Sequence, residues 1–212
     1  DTYLPREDVR DAFVTLTGVA LADMPQGAVV GSSSLRRRAQ IAVRRPDVKL
    51  VEFRGNVQTR MAKLRDGVAD ATFLAMAGLN RLGLTDVPRH ATDPADMLPA
   101  VAQGAIGIER RADDTRMAEL LSAIHDRDTG LRLACERAFL LTLDGSCETP
   151  IAGLAELDGD RLRFRGEILR PDGSDVLTVA GDCPATEGAA LGHAMAENLL
   201  ARAPAGFFDW RA

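Results

Sequence analysis

The sequence has 212 residues, of which 46% are hydrophobic and 27% charged, a composition typical of a globular protein with a hydrophobic core. It lacks an apolar run near the ~18 residues that a membrane-spanning helix needs, and residues 1–7 lack the basic-then-apolar pattern of a signal peptide. The three cysteines and three histidines are widely spaced, which argues against a disulfide framework and against a metal site. We therefore expect a cytoplasmic protein without metal or membrane partners.

The net charge of −5 is unevenly distributed along the chain. Residues 31–65 contain ten cations and two acids, a net charge of +8, which leaves −13 for the rest of the sequence. Aromatic residues make up only 4% of the chain, too few for a surface on which nucleic-acid bases stack. A concentrated cationic patch in an acidic protein favours a small polyanion as ligand, with a solvated basic face as the plain alternative.

Hydrophobic periodicity predicts alternating strands and helices in the first half of the chain. A connector and a helix from Arg6 to about Thr17 come first and end at Gly18. The following elements are predicted: strands at 27–31, 48–53 and 69–75, and helices at 35–45, 57–65 and 76–82. Such alternation is typical of a doubly wound, mainly parallel sheet, in which ligands bind beyond the carboxyl ends of the strands.

The pattern changes after Pro94. Asp114 is predicted to cap one helix, and Asp128 or Thr129 a longer helix that reaches Leu143. The predicted elements of this half are a short strand at 105–109, helices at 115–125 and up to 143, antiparallel strands at 151–157, 161–169 and 175–180, and a final helix at about 186–201. Three antiparallel strands with flanking helices predict a smaller α+β domain.

The segment at 31–38 reads Gly-Ser-Ser-Ser-Leu-Arg-Arg-Arg and joins a predicted strand to its helix. Serine caps helices well, and the free N–H groups at a helix N-terminus attract anions. Arg36 and Arg37 stand in the first helical turn, where the helix dipole disfavours cations. This exception to a local rule predicts an anion-binding role for the two arginines. The GxxxxGK[ST] pattern of a phosphate loop is absent.

Arg54 and Arg81 lie in turns after predicted strands, and Arg60 lies in the helix between them. Arginine binds carboxylates through two parallel hydrogen bonds, so several arginines around one crevice would hold a ligand with several carboxylates. Each of them singly is an ordinary surface residue. Cys147 stands in a Gly- and Pro-containing turn and could be a nucleophile, an attachment point or an inert thiol. No histidine is near enough in sequence to predict a Cys–His pair.

Six characteristic segments occur in order: 31–37 (GSSSLRR), 45–47 (RPD), 53–60 (FRGNVQTR), 77–83 (AGLNRLG), 98–105 (LPAVAQGA) and 143–151 (LDGSCETPI). Together they closely resemble the porphobilinogen deaminases, also called hydroxymethylbilane synthases. The resemblance implies a transferase of tetrapyrrole biosynthesis that joins four porphobilinogen units head to tail and releases ammonia. It also implies a dipyrromethane cofactor bound covalently through a thioether to Cys147.

The family's cofactor and growing chain carry acetate and propionate groups. Carried over motif by motif, the resemblance implies cofactor binding by Ser33, Ser34, Arg36, Arg37, Arg54 and Arg60. It implies substrate binding by Arg81 and Gln103. Porphobilinogen is then the small-molecule partner, and neither nucleic acid nor a membrane is expected as a partner.

The front of the family's proteins has no counterpart in this chain. That region forms most of domain 1 and carries the catalytic aspartate, so the resemblance identifies no catalytic residue here. It implies domain 2 at 1–98, with its fold resembling a periplasmic-binding-protein lobe, a segment returning to domain 1 at 99–125, and a C-terminal α+β domain with Cys147 at 126–212. We expect a monomer that is inactive alone.

The alternative is a non-catalytic module that binds an anion or carboxylate, as one lobe of a solute-binding protein does. The two hypotheses differ at Cys147, for which a binding module has no use.

Overall fold

The computed structural model describes residues 2–146 and 149–209. The strands of the first half are β1 (Thr2–Tyr3), β2 (Asp11–Thr15), β3 (Val29–Gly31), β4 (Lys49–Val51), β5 (Ala71–Ala75), β6 (Arg89–Ala91) and β7 (Gly107–Ile108). The helices of the same half are α1 (Leu35–Arg44), α2 (Val57–Arg65), α3 (Met76–Arg81) and α4 (Thr115–Ser122). A single 3-10 turn, Leu21–Asp23, precedes β3 in the described chain.

The second half begins with the long helix α5 (Arg127–Thr142). The strands and helix that follow are β8 (Ile151–Asp158), β9 (Arg161–Leu169), β10 (Val176–Pro184) and α6 (Gly188–Arg202). We call residues 11–98 the α/β lobe and residues 127–209 the C-terminal lobe. Strand β1, which precedes the α/β lobe in sequence, pairs antiparallel with β7, which lies between the two lobes in sequence.

The α/β lobe is built on a five-stranded sheet in the order β4-β3-β5-β2-β6. Strand β3 is parallel to both β4 and β5, whereas β2 is antiparallel to both β5 and β6. Helix α1 covers one face through Ile41, and α2 and α3 cover the other through Met61 and Leu79. The predicted α/β sheet with helices on both faces is therefore confirmed, but the sheet is mixed rather than mainly parallel.

The helix predicted from Arg6 to about Thr17 is wrong, because this stretch contains strand β2. All five residues of β2 are buried: Ala12 and Val14 contact one core cluster, and Phe13 contacts the cluster on the opposite face. A strand buried on both faces is apolar throughout and shows no alternation with polar residues. Its pattern therefore cannot be told from a buried helical segment. The sequence also missed β6, which lies at the edge of the sheet.

The C-terminal lobe is an antiparallel three-stranded sheet in the order β10-β9-β8, as predicted. Helices α5 and α6 pack on one face, around a core that includes Phe139, Phe164 and Ile168. The predicted cap of α5 is wrong, because Asp126 rather than Asp128 or Thr129 caps it. The Asp126 carboxylate accepts a hydrogen bond from the Thr129 backbone N–H at 2.7 Å.

Candidate functional site

The centre of the site is Asp11, whose side chain is fully buried beneath Arg36 and Arg37. Arg36 Nη1 donates to Asp11 Oδ2 at 2.7 Å, and Arg36 Nη2 donates to Oδ1 at 3.2 Å. Arg37 donates to Oδ1 from Nη2 at 2.7 Å and from Nε at 3.0 Å. Four charge-assisted hydrogen bonds therefore converge on one carboxylate.

Sheet order brings these three residues together. Asp11 begins β2, while Arg36 and Arg37 follow β3 in the first turn of α1, and β5 lies between the two strands. Arg37 spans this gap and donates from Nη1 to the Phe73 carbonyl of β5 at 3.1 Å. A cation in the first turn of a helix loses about 0.3–1 kcal/mol to the dipole, whereas breaking a buried ion pair costs about 3–5 kcal/mol. The pairing with Asp11 thus accounts for arginines at unfavourable helix positions.

Burial and neighbouring charges act in opposite directions on the pKa of Asp11. Burial alone would raise the pKa of Asp11, but the charges and hydrogen bonds of Arg36 and Arg37 outweigh it and lower the pKa to about 2. Burial lowers the pKa of the Arg37 guanidinium, and the nearby charges of Arg36 and Arg60 lower it further against the opposing effect of Asp11. In direct contact, two guanidinium groups face one carboxylate, and the next buried acid, Glu167, reaches Arg36 only through Gln40. An anionic ligand would balance the second guanidinium.

Gln103 completes the cluster from another part of the chain. Its Nε2 donates to Asp11 Oδ1 at 3.1 Å and to the Val9 carbonyl at 2.7 Å. Its Oε1 accepts weaker hydrogen bonds from Arg36 Nη2 at 3.5 Å and Arg37 Nη2 at 3.4 Å. The segment around residue 103 is therefore joined to the carboxyl ends of the parallel strands.

Arg36 has one donor that its surroundings leave unused. Its Nη1 also donates to Gln40 Oε1 at 2.9 Å and to the Leu98 carbonyl at 3.0 Å. Its Nε is buried and has no hydrogen-bond partner in the described part of the chain. Because a buried N–H without an acceptor costs about 1–3 kcal/mol, this atom fits a ligand oxygen.

The serines of the turn before α1 are used by the fold itself. Ser33 Oγ accepts from the Phe53 backbone N–H at 3.1 Å, and Ser34 Oγ caps α1 by accepting from the Arg37 N–H at 3.4 Å. A Cβ on Gly31 would lie 2.4 Å from Cγ of Phe53, so only glycine allows the ring to pack here. The turn that carries Arg36 and Arg37 is thereby fixed against Phe53.

The three remaining predicted arginines lie outside the buried cluster and differ in exposure. Arg60 is half-buried, donates from Nε to the Gly55 carbonyl at 2.8 Å, and has its pKa lowered by burial. Arg81 is exposed and reaches the Gly104 carbonyl at 3.4 Å, next to Gln103. The side chain of Arg54 is 84% exposed and pairs with Glu52.

The structure thus joins Arg36, Arg37 and Gln103 directly, with Arg60 close enough to influence Arg37 electrostatically. Cys147 lies outside the described residues. The sequence missed Asp11, because the stretch around it was assigned to a helix. A charged residue at the start of a short apolar run, in a chain with two arginines in unfavourable positions, was the available signal for a buried counter-ion.

The fold defines an α/β protein with a buried arginine–aspartate cluster at the carboxyl ends of its parallel strands, the edge at which ligands of such sheets bind. Residues 1–119 match the family model described as "Porphobilinogen deaminase, dipyromethane cofactor binding domain". Residues 131–201 match "Porphobilinogen deaminase, C-terminal domain". The chain therefore belongs to the porphobilinogen deaminase family of tetrapyrrole-biosynthesis transferases. The predicted family, enzyme class and dipyrromethane cofactor are confirmed.

Two relatives carry the family name. The chain is 70% identical over 210 residues to "Porphobilinogen deaminase" of Paracoccus denitrificans (strain Pd 1222), a match that covers 99% of this chain and 67% of the relative. It is 51% identical over 210 residues to "Porphobilinogen deaminase, chloroplastic" of Pisum sativum, which covers 97% of this chain and 57% of the relative. The chain thus spans between 57% and 67% of the length of these relatives.

Among solved structures, an arginine-specific periplasmic binding protein of Salmonella typhimurium matches with a TM-score of 0.39 and 16% identity, over 61% of this chain and 59% of that chain. This likeness is too low to establish a common fold. None of the helices in the described ranges is long and apolar enough to cross a membrane.

Proposed function

We propose that this chain forms the cofactor-holding part of a hydroxymethylbilane synthase. The whole enzyme would join four porphobilinogen units head to tail onto a cysteine-linked dipyrromethane and release ammonia at each step. The observation that carries this proposal is the excess positive charge of Arg36 and Arg37 over Asp11, buried at the strand ends. That cluster lies within the segment that matches the cofactor-binding domain of the family.

The residues present fit the cofactor's acidic groups. Arg36, through its unpartnered Nε, and the half-buried Arg60 are the donors we assign to cofactor carboxylates. Arg37 adds positive charge to the cluster. Ser33 and Ser34 fix the turn that leads into α1, the helix that carries Arg36 and Arg37. Bound through Cys147, dipyrromethane supplies the primer to which further pyrrole units are added.

The exposed arginines are assigned to later stages. Arg54 and Arg81 lie outside the buried cluster, where solvent still reaches them. We propose that Arg54 contacts the outer cofactor carboxylates and that Arg81, with Gln103, contacts those of incoming porphobilinogen. Carboxylate–arginine pairs that form out of water are stronger than those on the surface. We therefore assign the buried arginines to holding the cofactor and the exposed arginines to guiding its outer carboxylates and the incoming substrate.

Asp11 is not the proton donor of the reaction. A general acid works best when its pKa lies near the working pH, whereas the pKa of Asp11 is about 2 and its carboxylate accepts four hydrogen bonds from cations. Asp11 therefore stays ionised and holds the arginines. We propose that the acid that protonates the leaving amino group belongs to the part of the family that this chain does not span, so that the chain alone does not turn over porphobilinogen.

We also propose the division of the chain into 1–98, 99–125 and 126–212, with the middle segment packing against that other part of the family's fold. Helix α4 has no buried residue, and it exposes Met117 by 40% and Leu120 by 59%. Limited proteolysis of the chain alone is expected to cut first near α4. Equal protection of α4 and α5 would contradict this division.

The decisive experiment uses the full-length protein, meaning a chain of the relatives' length that contains these 212 residues. Intact-mass measurement after exposure to porphobilinogen is expected to find a covalent adduct of two pyrrole units. The adduct should be absent in Cys147→Ala and present in the matched control Cys183→Ala, whose thiol is buried in the C-terminal lobe. An active protein with an unmodified mass would overturn the proposal.

The alternative is a carboxylate-binding module whose α/β lobe follows the doubly wound plan of a periplasmic binding protein. The buried arginine cluster is compatible with this alternative as well, because carboxylate binding requires no cysteine. The match of residues 1–119 to the family's cofactor-binding domain favours the synthase. Reversible binding of a dicarboxylate by a protein that never forms the adduct would support it over the synthase.

We further propose a cytoplasmic monomer that binds neither nucleic acid nor membranes. The two most concentrated charges of the cationic segment, on Arg36 and Arg37, are turned inward and unavailable to a large polyanion. Cys135 and Cys183 are free and buried, as in proteins of reducing compartments. Light scattering of the full-length protein is expected to give the mass of one chain, and a dimer mass would contradict this assignment.

A further inference from the structure

A polar contact connects the arginine cluster to the C-terminal lobe. Gln40 lies one turn after Arg36 on α1 and is fully buried. Its Nε2 donates to Glu167 Oε1 on β9 and, at 2.9 Å, to the Leu98 carbonyl. Its Oε1 accepts from Arg36 Nη1 at 2.9 Å. A continuous path of hydrogen bonds therefore runs from Glu167 through Gln40 to Arg36 and Asp11.

Glu167 is an unusual residue for its position. It stands in the central strand of the three-stranded sheet, pairs with Ala152 and Thr178, and is only 6% exposed. Its neighbours Gly166 and Ile168 face the apolar core, so the Glu167 side chain leaves the opposite face of the sheet, towards α1. A carboxylate is almost never buried without a partner, and the described partner here is Gln40.

A second contact fixes the two lobes at the same place. Gly173 has φ +75°, and a Cβ on it would lie 2.8 Å from Ala42 Cβ and 2.9 Å from the Val43 backbone nitrogen. The turn after β9 is therefore seated directly on α1. Nearby, Arg165 Nη1 donates to the Pro94 carbonyl at 3.4 Å. Helix α1 is thus held between its own sheet and the C-terminal lobe.

We propose that Glu167 and Gln40 are positioning residues that set Arg36 in register with the C-terminal lobe; this inference rests on the proposed function. An ionised carboxylate can only accept hydrogen bonds, so Glu167 requires the amide nitrogen of Gln40. The amide oxygen is then directed at Arg36. Without Glu167 the amide nitrogen keeps only the Leu98 carbonyl as acceptor, which Arg36 Nη1 shares, so the direction of the amide oxygen towards the guanidinium is less firmly fixed. The lobe that carries Cys147 thereby orients the arginine that receives the cofactor.

The test compares the rate at which full-length apoprotein gains the two-pyrrole adduct, followed by intact mass. Glu167→Leu and Gln40→Leu are each expected to slow loading about tenfold, the effect of one charge-assisted hydrogen bond. The double variant should be no slower than either single one, because both changes break the same path. Glu156→Gln, an exposed acid on the same face of the sheet, is the matched control and should load at the wild-type rate.

The milder variant Glu167→Gln controls for a folding defect. Its side-chain carbonyl can still accept a hydrogen bond from Gln40, but its amide nitrogen can also donate, so it does not fix the orientation of the Gln40 amide. It is expected to load two- to threefold more slowly with an unchanged melting temperature. Wild-type loading by all three variants at 167 and 40 would overturn the inference while leaving the proposed function intact.

A readout independent of the cofactor separates the two proposals. In ¹⁵N-labelled Cys147→Ala protein, the Gln40 side-chain amide signals should shift on Glu167→Leu and stay unchanged on Glu156→Gln. Unchanged Gln40 signals would overturn the inference. Failure of the wild type to gain an adduct would overturn the proposed function instead.

Discussion

Asp11 and Glu136, two fully buried carboxylates in the described part of the chain, differ in how their charge is balanced. Glu136 on α5 accepts from both Nη atoms of Arg6, at 2.6 and 3.0 Å, and from the backbone N–H groups of Ala102 and Ala155. It therefore meets one cation and two neutral donors. Asp11 meets two cations. The first arrangement is a complete structural joint, whereas the second retains one positive charge for a ligand.

The comparison teaches that an excess of charge, rather than burial of charge, distinguishes a binding site from a structural ion pair. Both carboxylates are fully buried. Gln103 connects the Glu136 centre to the Asp11 centre. Its backbone carbonyl accepts from Arg6 Nε at 3.0 Å, and its side chain contacts Asp11. Variants at either centre therefore test whether the distinction holds.

The largest loss of stability is expected at Glu136, whose charge is balanced by Arg6. Arg6→Leu leaves Glu136 buried without a counter-charge and should lower the free energy of unfolding by about 3–5 kcal/mol. Chemical denaturation of the chain measures this loss. The double variant Arg6→Leu/Glu136→Leu should recover part of it, and equal losses in the single and double variants would show that no charge penalty is involved.

The second-largest expected effect is the dependence of the free energy of unfolding on pH that Asp11 causes. The pKa of Asp11 is lowered to about 2 in the folded chain, below its ordinary value of 3.8. A depressed carboxyl pKa stabilises the folded state above the unfolded pKa, and the stabilisation disappears as the pH falls from about 4 to about 2. Asp11 should thus contribute about 2 kcal/mol at neutral pH.

Denaturation at a series of pH values checks this contribution. Asp11→Asn is expected to unfold more easily at neutral pH and to lose part of the pH dependence between 4 and 2. Glu197→Gln, at an exposed position of α6, serves as the control. A wild-type pH profile in Asp11→Asn would contradict the assignment of Asp11 as an ionised counter-ion.

A smaller loss of stability is expected when one of the two arginines that contact Asp11 is removed. Arg36→Leu leaves Arg37 paired one-to-one with Asp11, so the free energy of unfolding should fall by only about 1–2 kcal/mol. In the full-length protein the same change should strongly impair adduct formation, measured by intact mass. Normal loading in Arg36→Leu would return this arginine to a structural role.

The smallest effect is expected on the surface. Arg54 is largely exposed, and surface pairs such as Arg54–Glu52 contribute about 0–1 kcal/mol. Arg54→Ala should leave the melting temperature within about two degrees of the wild type. A larger drop would mean that the loop between β4 and α2 depends on this side chain.

Local signals predicted much of the secondary structure. The predicted bounds of helix α2, 57–65, are the observed ones; Asn56 caps its start, and Gly67 follows its end with φ +71°. The predicted bounds of strand β9, 161–169, are also the observed ones, and the strand follows the turn at Asp158 and Gly159. Strand β2 was misassigned because burial on both faces removes alternation.

Long-range pairing was beyond these signals. Arg36, Arg37 and Gln103 were predicted as site residues, but their common partner Asp11 depends on β2 and β3 flanking β5, an order that no local pattern encodes. The contact between Gln40 and Glu167 likewise depends on how the lobes pack. The predicted binding residues remain predictions until the ligand experiments are done.

The spacing of the two centres along the chain sets an order for their assembly during synthesis. Asp11 and Arg37 are 26 residues apart, so their pair can close as soon as the first sheet is made. Arg6 and Glu136 are 130 residues apart. During synthesis, Arg6 therefore cannot pair with Glu136 until α5 has emerged from the ribosome. The α/β lobe acquires its binding charge early, whereas the Arg6–Glu136 pair and the Gln40–Glu167 contact form only once the C-terminal lobe is being made.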